Sequence, residues 1–199
     1  GYQMTEAADA IYHQALEIDL QNQQISRTLF GQDTRLEGPI SITMPHDIFE
    51  YCLAEDLAAF HQTHPGIQLK LIVGKGVMNL ASRDADIAIR LTPSPPDYLV
   101  GREVTTLQHA LYSKKDYHES NELVGLILWE GENSIPKWAH QHFNECYVSL
   151  YVDDLSTMYA AVKAGFGVAR MPCYMPDSLN SSLVRKLPIQ LPKSNWSVW

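Results

Sequence analysis

The sequence predicts an α/β protein led by one long helix. Two observations carry that expectation. Residues 2 to 30 contain neither proline nor internal glycine and repeat apolar side chains at alternating spacings of four and three. From Gly38 onward, short apolar strands alternate with helical stretches, the signature of consecutive βαβ units.

The leading repeat runs Met4, Ala8, Ile11, Ala15, Ile18, Asn22, Ile25, Leu29, a heptad seam on one face of a helix. At about 1.5 Å per residue that helix spans about 40 Å, far longer than a usual globular helix. Such a length suits packing against a second copy, with Ile11, Ile18, Asn22, Ile25 and Leu29 at the interface. Asn22 falls where a buried amide selects register. The other reading, an amphipathic helix lying on its own domain, stays open. Gly31 ends the pattern, and Gln32 to Arg35 form a polar connection.

Pro39 to Thr43 alternates like a strand, and a helix follows from about Asp47 to Thr63. Its start has two readings: Asp47 and Glu50 as a capping pair, or Pro45 as the first helical residue. Pro65 stops it. Ile67 to Val73 reads as the next strand, 77 to 82 as a short helix, and Asp86 to Leu91 as a further strand. Thr92-Pro93-Ser94-Pro95-Pro96 is a stiff loop. Leu107 to Tyr112, Leu123 to Trp129 and Tyr147 to Val152 look like strands, with a helix from Ser134-Ile135-Pro136 to about Phe143 between the last two. Asp153-Asp154 caps a helix ending at Gly165, and Val168 to Met171 is strand-like. The tail after Leu183 alternates proline with apolar residues.

Composition narrows the function classes. Of 199 residues 45% are hydrophobic and 19% charged, and no apolar run approaches the roughly 18 residues of a membrane span. The formal charge is −8 without a Lys/Arg stripe, so the chain lacks the electrostatic footprint of phosphate-driven nucleic-acid binding. The first residues lack a basic region leading into an apolar stretch, so a cytoplasmic protein is the expectation. Cys52, Cys146 and Cys173 are widely spaced and odd in number, which points to small buried hydrophobes rather than a disulfide or metal framework.

Three strings then resemble the LysR-type bacterial transcription regulators. The first is Gly38-Pro39-Ile40-Ser41-Ile42 with Phe60-His61-Gln62-Thr63-His64-Pro65-Gly66-Ile67. The second is Ala85-Asp86-Ile87-Ala88-Ile89-Arg90. The third is Val152-Asp153-Asp154-Leu155 leading to Ala164-Gly165-Phe166-Gly167-Val168-Ala169 and Met171-Pro172. Their order behind a long helix makes the resemblance specific. It implies a fold like the type 2 periplasmic binding proteins: two Rossmann-like lobes joined by two crossover strands, with a small-molecule effector in the cleft and no enzymatic activity or cofactor. The implied division is a linker helix at 1–36, lobe one at 37–107, lobe two at 108–182 and a return crossover at 183–199. The crossovers are expected near Leu107 to Tyr112 and Leu183 to Leu191. The resemblance further implies a homo-dimer or tetramer, with DNA contacted only through a winged helix-turn-helix outside this chain. The family continues past Trp199 with a final helix, so apolar surface is expected on lobe one.

The turn Thr43-Met44-Pro45-His46 is the leading site candidate. It lies beyond the carboxyl end of a strand and at a helix N-terminus, where ligands and anions bind in open α/β sheets. The alternative is a helix start without a ligand. In regulators that this sequence resembles, hydroxyl and amide groups at this turn hold the effector. Thr92, Glu130 and Asn133 follow other strand ends, and Arg90 fits either a carboxylate effector or an ion pair with Asp84 or Asp86. Gly74-Lys75-Gly76 and Gly165-Phe166-Gly167 lack nucleotide-loop spacing. His61 with His64, and His140 with His142, read as solvated surface rather than metal ligands. A transport-associated solute-binding protein shares the fold and is the main rival. An enzyme on the same scaffold lacks a positioned acid/base pair in the sequence.

Overall fold

The computed structural model describes residues 11, 12, 14, 15, 18, 21, 25, 36–74, 85–95, 100–117 and 123–199. Met4, Ala8, Asn22, Leu29, Asp84 and the helix expected at 77–82 lie outside them. The described positions of the leading segment are helical. Ile11, Ile18 and Ile25 are 66%, 60% and 57% exposed, so at these seam positions the helix does not lie on its own domain.

The first sheet is parallel, in the order β2 (Ile67–Val73), β1 (Gly38–Met44), β3 (Ile87–Ala88). β1 is rich in β-branched residues and becomes fully buried toward its end, at Ile42, Thr43 and Met44. Helix α1 follows in three segments, α-helical at His46–Ile48 and Ala54–Thr63 with a π segment at Phe49–Leu53 between. Neither expected helix start is observed. Pro45 occupies the N-cap in extended geometry without a side-chain cap, and Asp47 sits inside the first turn. There its negative charge complements the helix dipole.

The second sheet has the order β10 (Val184–Lys186), β6 (His109–Lys114), β9 (Val168–Pro172), β7 (Leu123–Trp129), β8 (Glu145–Val152). β7, β8 and β9 are parallel, and β6 is antiparallel to both its neighbours. Helices α2 (Lys137–His142), α3 (Leu155–Ala164) and α4 (Tyr174–Leu179) belong to this half. Strand alternation splits its core in two. Ala110, Tyr112, Ile127, Ala169 and Met171 pack against Leu155, Met158, Tyr159 and Val162 of α3. Leu111, Val124, Leu126, Leu128 and Val168 gather with Ala139 and Leu187. Each fully buried aliphatic side chain here contributes about 1.5–3 kcal/mol. The α3 ends follow the expected chemistry: Asp154 accepts from the Thr157 N–H at 2.8 Å, and Gly165 takes φ +96°.

Gly167 has a different role. A Cβ on it would stand 2.0 Å from the Gly125 carbonyl oxygen, so the pair allows β7 and β9 to approach.

A small third sheet, β4 (Leu91–Thr92), β11 (Ser197–Val198), β5 (Thr105–Thr106), joins the halves. The chain passes from it into the second sheet between β5 and β6 and returns between β10 and β11.

Several expectations are corrected. Asp86 to Leu91 is not one strand: Ile89 N–H still donates to Thr43 O at 2.8 Å, but Arg90 exchanges hydrogen bonds with Trp199, so the chain changes sheets there. The expected first crossover strand divides likewise, because Leu107 N–H bonds Trp196 O while His109 onward joins the second sheet. Helix α4 was not foreseen; Pro176 masked it, although proline is tolerated in a first turn. The cysteines are not core residues: Cys52 is exposed, Cys146 and Cys173 are half-buried, and all three are free.

Candidate functional site

Thr43 is the last but one residue of β1 and is buried, with its hydroxyl oxygen accepting from Arg90 Nη2 at 3.0 Å. The second guanidinium nitrogen, Nη1, donates to the Ile89 carbonyl at 2.8 Å. Desolvation by partial burial pushes the Arg90 pKa down from its ordinary value. The expected Arg90–Asp86 ion pair does not form. Asp86 Oδ2 instead accepts from Ser41 N–H at 2.8 Å and Ser41 Oγ at 2.7 Å, which lowers its carboxyl pKa.

Thr43, Met44, Pro45 and His46 thus form one turn with a buried half and an open half. Met44 is fully buried, while the His46 side chain is 67% exposed with Nδ1 3.3 Å from Glu50 Oε2. Thr92 lies in the third sheet: its hydroxyl donates to Ser94 O at 2.8 Å, and its carbonyl accepts from Trp199 Nε1 at 3.2 Å. Glu130 and Asn133 are exposed on the turn after β7. That turn is fixed by Glu130 N–H to Val152 O at 2.7 Å and by Glu132, whose carboxylate accepts from Trp129 N–H at 3.2 Å. Positive φ at Gly131 (+95°) lets it close.

The contact between the halves involves residues the sequence did not single out. Tyr174, the first residue of α4, donates its hydroxyl to Asp47 Oδ2 in the first turn of α1. Burial and this carboxylate push the Tyr174 phenol pKa well up. Tyr51, on the π segment, packs against the core formed by α3 and the second sheet. Beside it the buried Tyr159 hydroxyl has no hydrogen-bond partner among the described residues. A bond spanning 127 positions leaves no local pattern; the only trace was an acid in the first turn of a helix.

On the α2 face of the second sheet, burial and then the Arg170 charge depress the His109 pKa to about 4. Among the described residues no group of three or more His, Cys, Asp or Glu is arranged to hold a metal ion.

Two α/β halves exchanging the chain twice through a small sheet define a two-lobed domain of the type 2 periplasmic-binding-protein kind. Residues 33–199 match the family model described as LysR substrate binding domain, and the chain belongs to that family. It is 27% identical over 117 residues to an HTH-type transcriptional regulator of Xanthomonas campestris pv. campestris (strain 8004), covering 58% of this chain and 34% of that protein. It is 22% identical over 186 residues to an uncharacterized HTH-type transcriptional regulator of Haemophilus influenzae, covering 86% and 64%. The chain therefore spans less than two thirds of either curated relative. In structure it is similar to the effector domain of the transcriptional regulator AmpR of Pseudomonas aeruginosa (TM-score 0.67, 20% identity, 82% and 83% covered). It is also similar to CrgA, a LysR-type regulator from Neisseria meningitidis (TM-score 0.67, 17% identity, 98% and 71% covered).

Proposed function

We propose that this chain is the effector-sensing part of a transcription regulator: a small metabolite enters the crevice between the lobes and changes their relative angle. The observation that carries this is the position of the Thr43–His46 turn. It ends a parallel strand and begins the helix whose first turn is tied to lobe two through Asp47 and Tyr174. A ligand there touches the element that links the lobes. Arg90, half-buried with its guanidinium on neutral oxygens, favours a carboxylate among effectors. Glu130 and Asn133 supply the opposite wall and Thr92 the rim.

The division into linker (1–36), lobe one (37–107), lobe two (108–182) and return crossover (183–199) belongs to the same proposal. So do a homo-dimer or tetramer built on the leading helix, a cytoplasmic location, DNA contact through a part of the protein outside this chain, and the lack of turnover. No helix among the described residues is long and apolar enough to cross a membrane. Coupling of about 1–3 kcal/mol between effector and lobe arrangement is typical of such switches. The exposed isoleucine seam favours this over a transport-associated solute-binding protein.

Thermal-shift screening of the chain against small carboxylates, amino acids and aromatic acids tests the site, with Thr43→Ala in parallel. A hit that stabilises the parent chain and loses its effect in Thr43→Ala supports the turn. Equal stabilisation of both refutes it.

A further inference from the structure

His109 and Arg170 stand on the neighbouring strands β6 and β9 and on one face of the second sheet. The register pairs His109 with Pro172 and Leu111 with Arg170, and side chains two apart along a strand share a face. That face is apolar: Leu111 and Val168 are buried there with Ala139 of α2 and Leu187. The other four residues of β9, Val168, Ala169, Met171 and Pro172, are all buried, so an arginine interrupts an otherwise buried strand. Two nitrogens of the pair, His109 Nδ1 and Arg170 Nε, are sealed from solvent without a hydrogen-bond partner among the described residues.

The other ionisable groups of this face are accounted for. Arg185 donates from Nε to Ser113 Oγ at 3.3 Å and from Nη2 to the Tyr117 carbonyl at 2.9 Å. Lys137, His140 and His142 of α2 and Lys193 of the returning chain are exposed. Arg170 is therefore a cation in apolar surroundings that no carboxylate of the described residues neutralises. An unpaired guanidinium in such a place is costly, and an oxyanion is its complement. The planar fork donates two parallel N–H bonds to a carboxylate, phosphate or sulfate, and an imidazole N–H beside it adds a third. Both residues are half-buried, which leaves part of each side chain open to a small solute. We propose that His109 and Arg170 form a small-oxyanion site in lobe two, separate from the effector turn. His109 opens β6 directly after Gln108, whose carbonyl accepts from Cys173 N–H at 2.9 Å, and Leu107, whose N–H donates to Trp196 O at 2.8 Å in the third sheet. An ion bound by this pair sits where the crossover enters lobe two. The site does not depend on any ligand at Thr43–His46.

Calorimetric titration of the full chain with sodium sulfate, which stands in for a phosphate group, tests the site. Sodium acetate is the carboxylate arm and sodium chloride at matched ionic strength the control. Saturable binding of sulfate or acetate is expected, about tenfold weaker in Arg170→Leu, several-fold weaker in His109→Gln and unchanged in Lys137→Gln. The anion that binds more tightly identifies the ligand as phosphate-like or carboxylate. In urea without added oxyanion, Arg170→Leu is expected to raise the unfolding midpoint, because leucine suits the apolar face. That advantage should shrink as sulfate or acetate stabilises the parent alone. If Arg170→Leu does not fold, Arg170→Gln takes its place in the titration. No saturable heat with either oxyanion, or equal binding by the parent and the Arg170 variant, overturns the proposal. The effector turn is scored separately by Thr43→Ala, so the two readings fail independently.

Discussion

The hydroxyl of Tyr174 is hydrogen-bonded to the carboxylate of Asp47, joining the first turn of the lobe-two helix α4 to the first turn of the lobe-one helix α1. Tyr174→Phe removes one partner of a charge-assisted bond in a partly buried site and is expected to cost about 1–3 kcal/mol. Urea unfolding measures it; an unchanged midpoint would show that the two helices do not depend on this bond.

Gly167→Ala is expected to prevent folding or to cost more than about 3 kcal/mol, since its Cβ would fall 2.0 Å from the Gly125 carbonyl oxygen at φ +149°. Gly131→Ala, at φ +95° with no atom within 4 Å of the added Cβ, is expected to cost only about 1–2 kcal/mol. Circular dichroism melts compare the two. Similar losses would contradict the close approach of β7 and β9.

His109 makes stability pH-dependent. Its folded pKa of about 4 lies below the unfolded 6.5, so between these values the unfolded chain binds a proton that the folded chain excludes. Stability is therefore full above pH 6.5 and falls as pH drops toward 4. Because the ring is partly exposed, solvent reduces the loss to about 1–2 kcal/mol. His109→Gln should flatten that part of the profile in urea titrations at stepped pH. A parent profile already flat across this window would refute the burial cost.

Ile18→Asp is expected to weaken self-association in a sedimentation run while leaving the unfolding midpoint of the lobes unchanged, because Ile18 is 60% exposed in the single chain. An apolar side chain removed from a helix–helix seam forfeits about 1.5–3 kcal/mol per copy. An unchanged sedimentation profile would remove the leading helix from the interface.

Local chemistry made most of the fold legible. The strands from Gly38, Ile67, Leu123 and Val168 and the α3 caps at Asp154 and Gly165 announce themselves through alternation, side-chain capping and the left-handed region. The break at Arg90 did not, because its backbone pairs with Trp199 at the far end of the chain. α4 was hidden by Pro176, and with it went Tyr174. The Thr43–His46 turn was readable from strand-end and helix-start chemistry. The bond from Arg90 to Thr43 was not, since two carboxylates nearby in sequence offered a more obvious partner than a hydroxyl.

Hydrogen exchange of the chain with and without the best hit from the effector screen tests the central claim most directly. A solute in the interlobe crevice should protect Thr43 to Phe49 in lobe one together with Glu130 to Asn133 or Cys173 to Asp177 in lobe two. Protection confined to one lobe, or lying only on surfaces away from these segments, would contradict it.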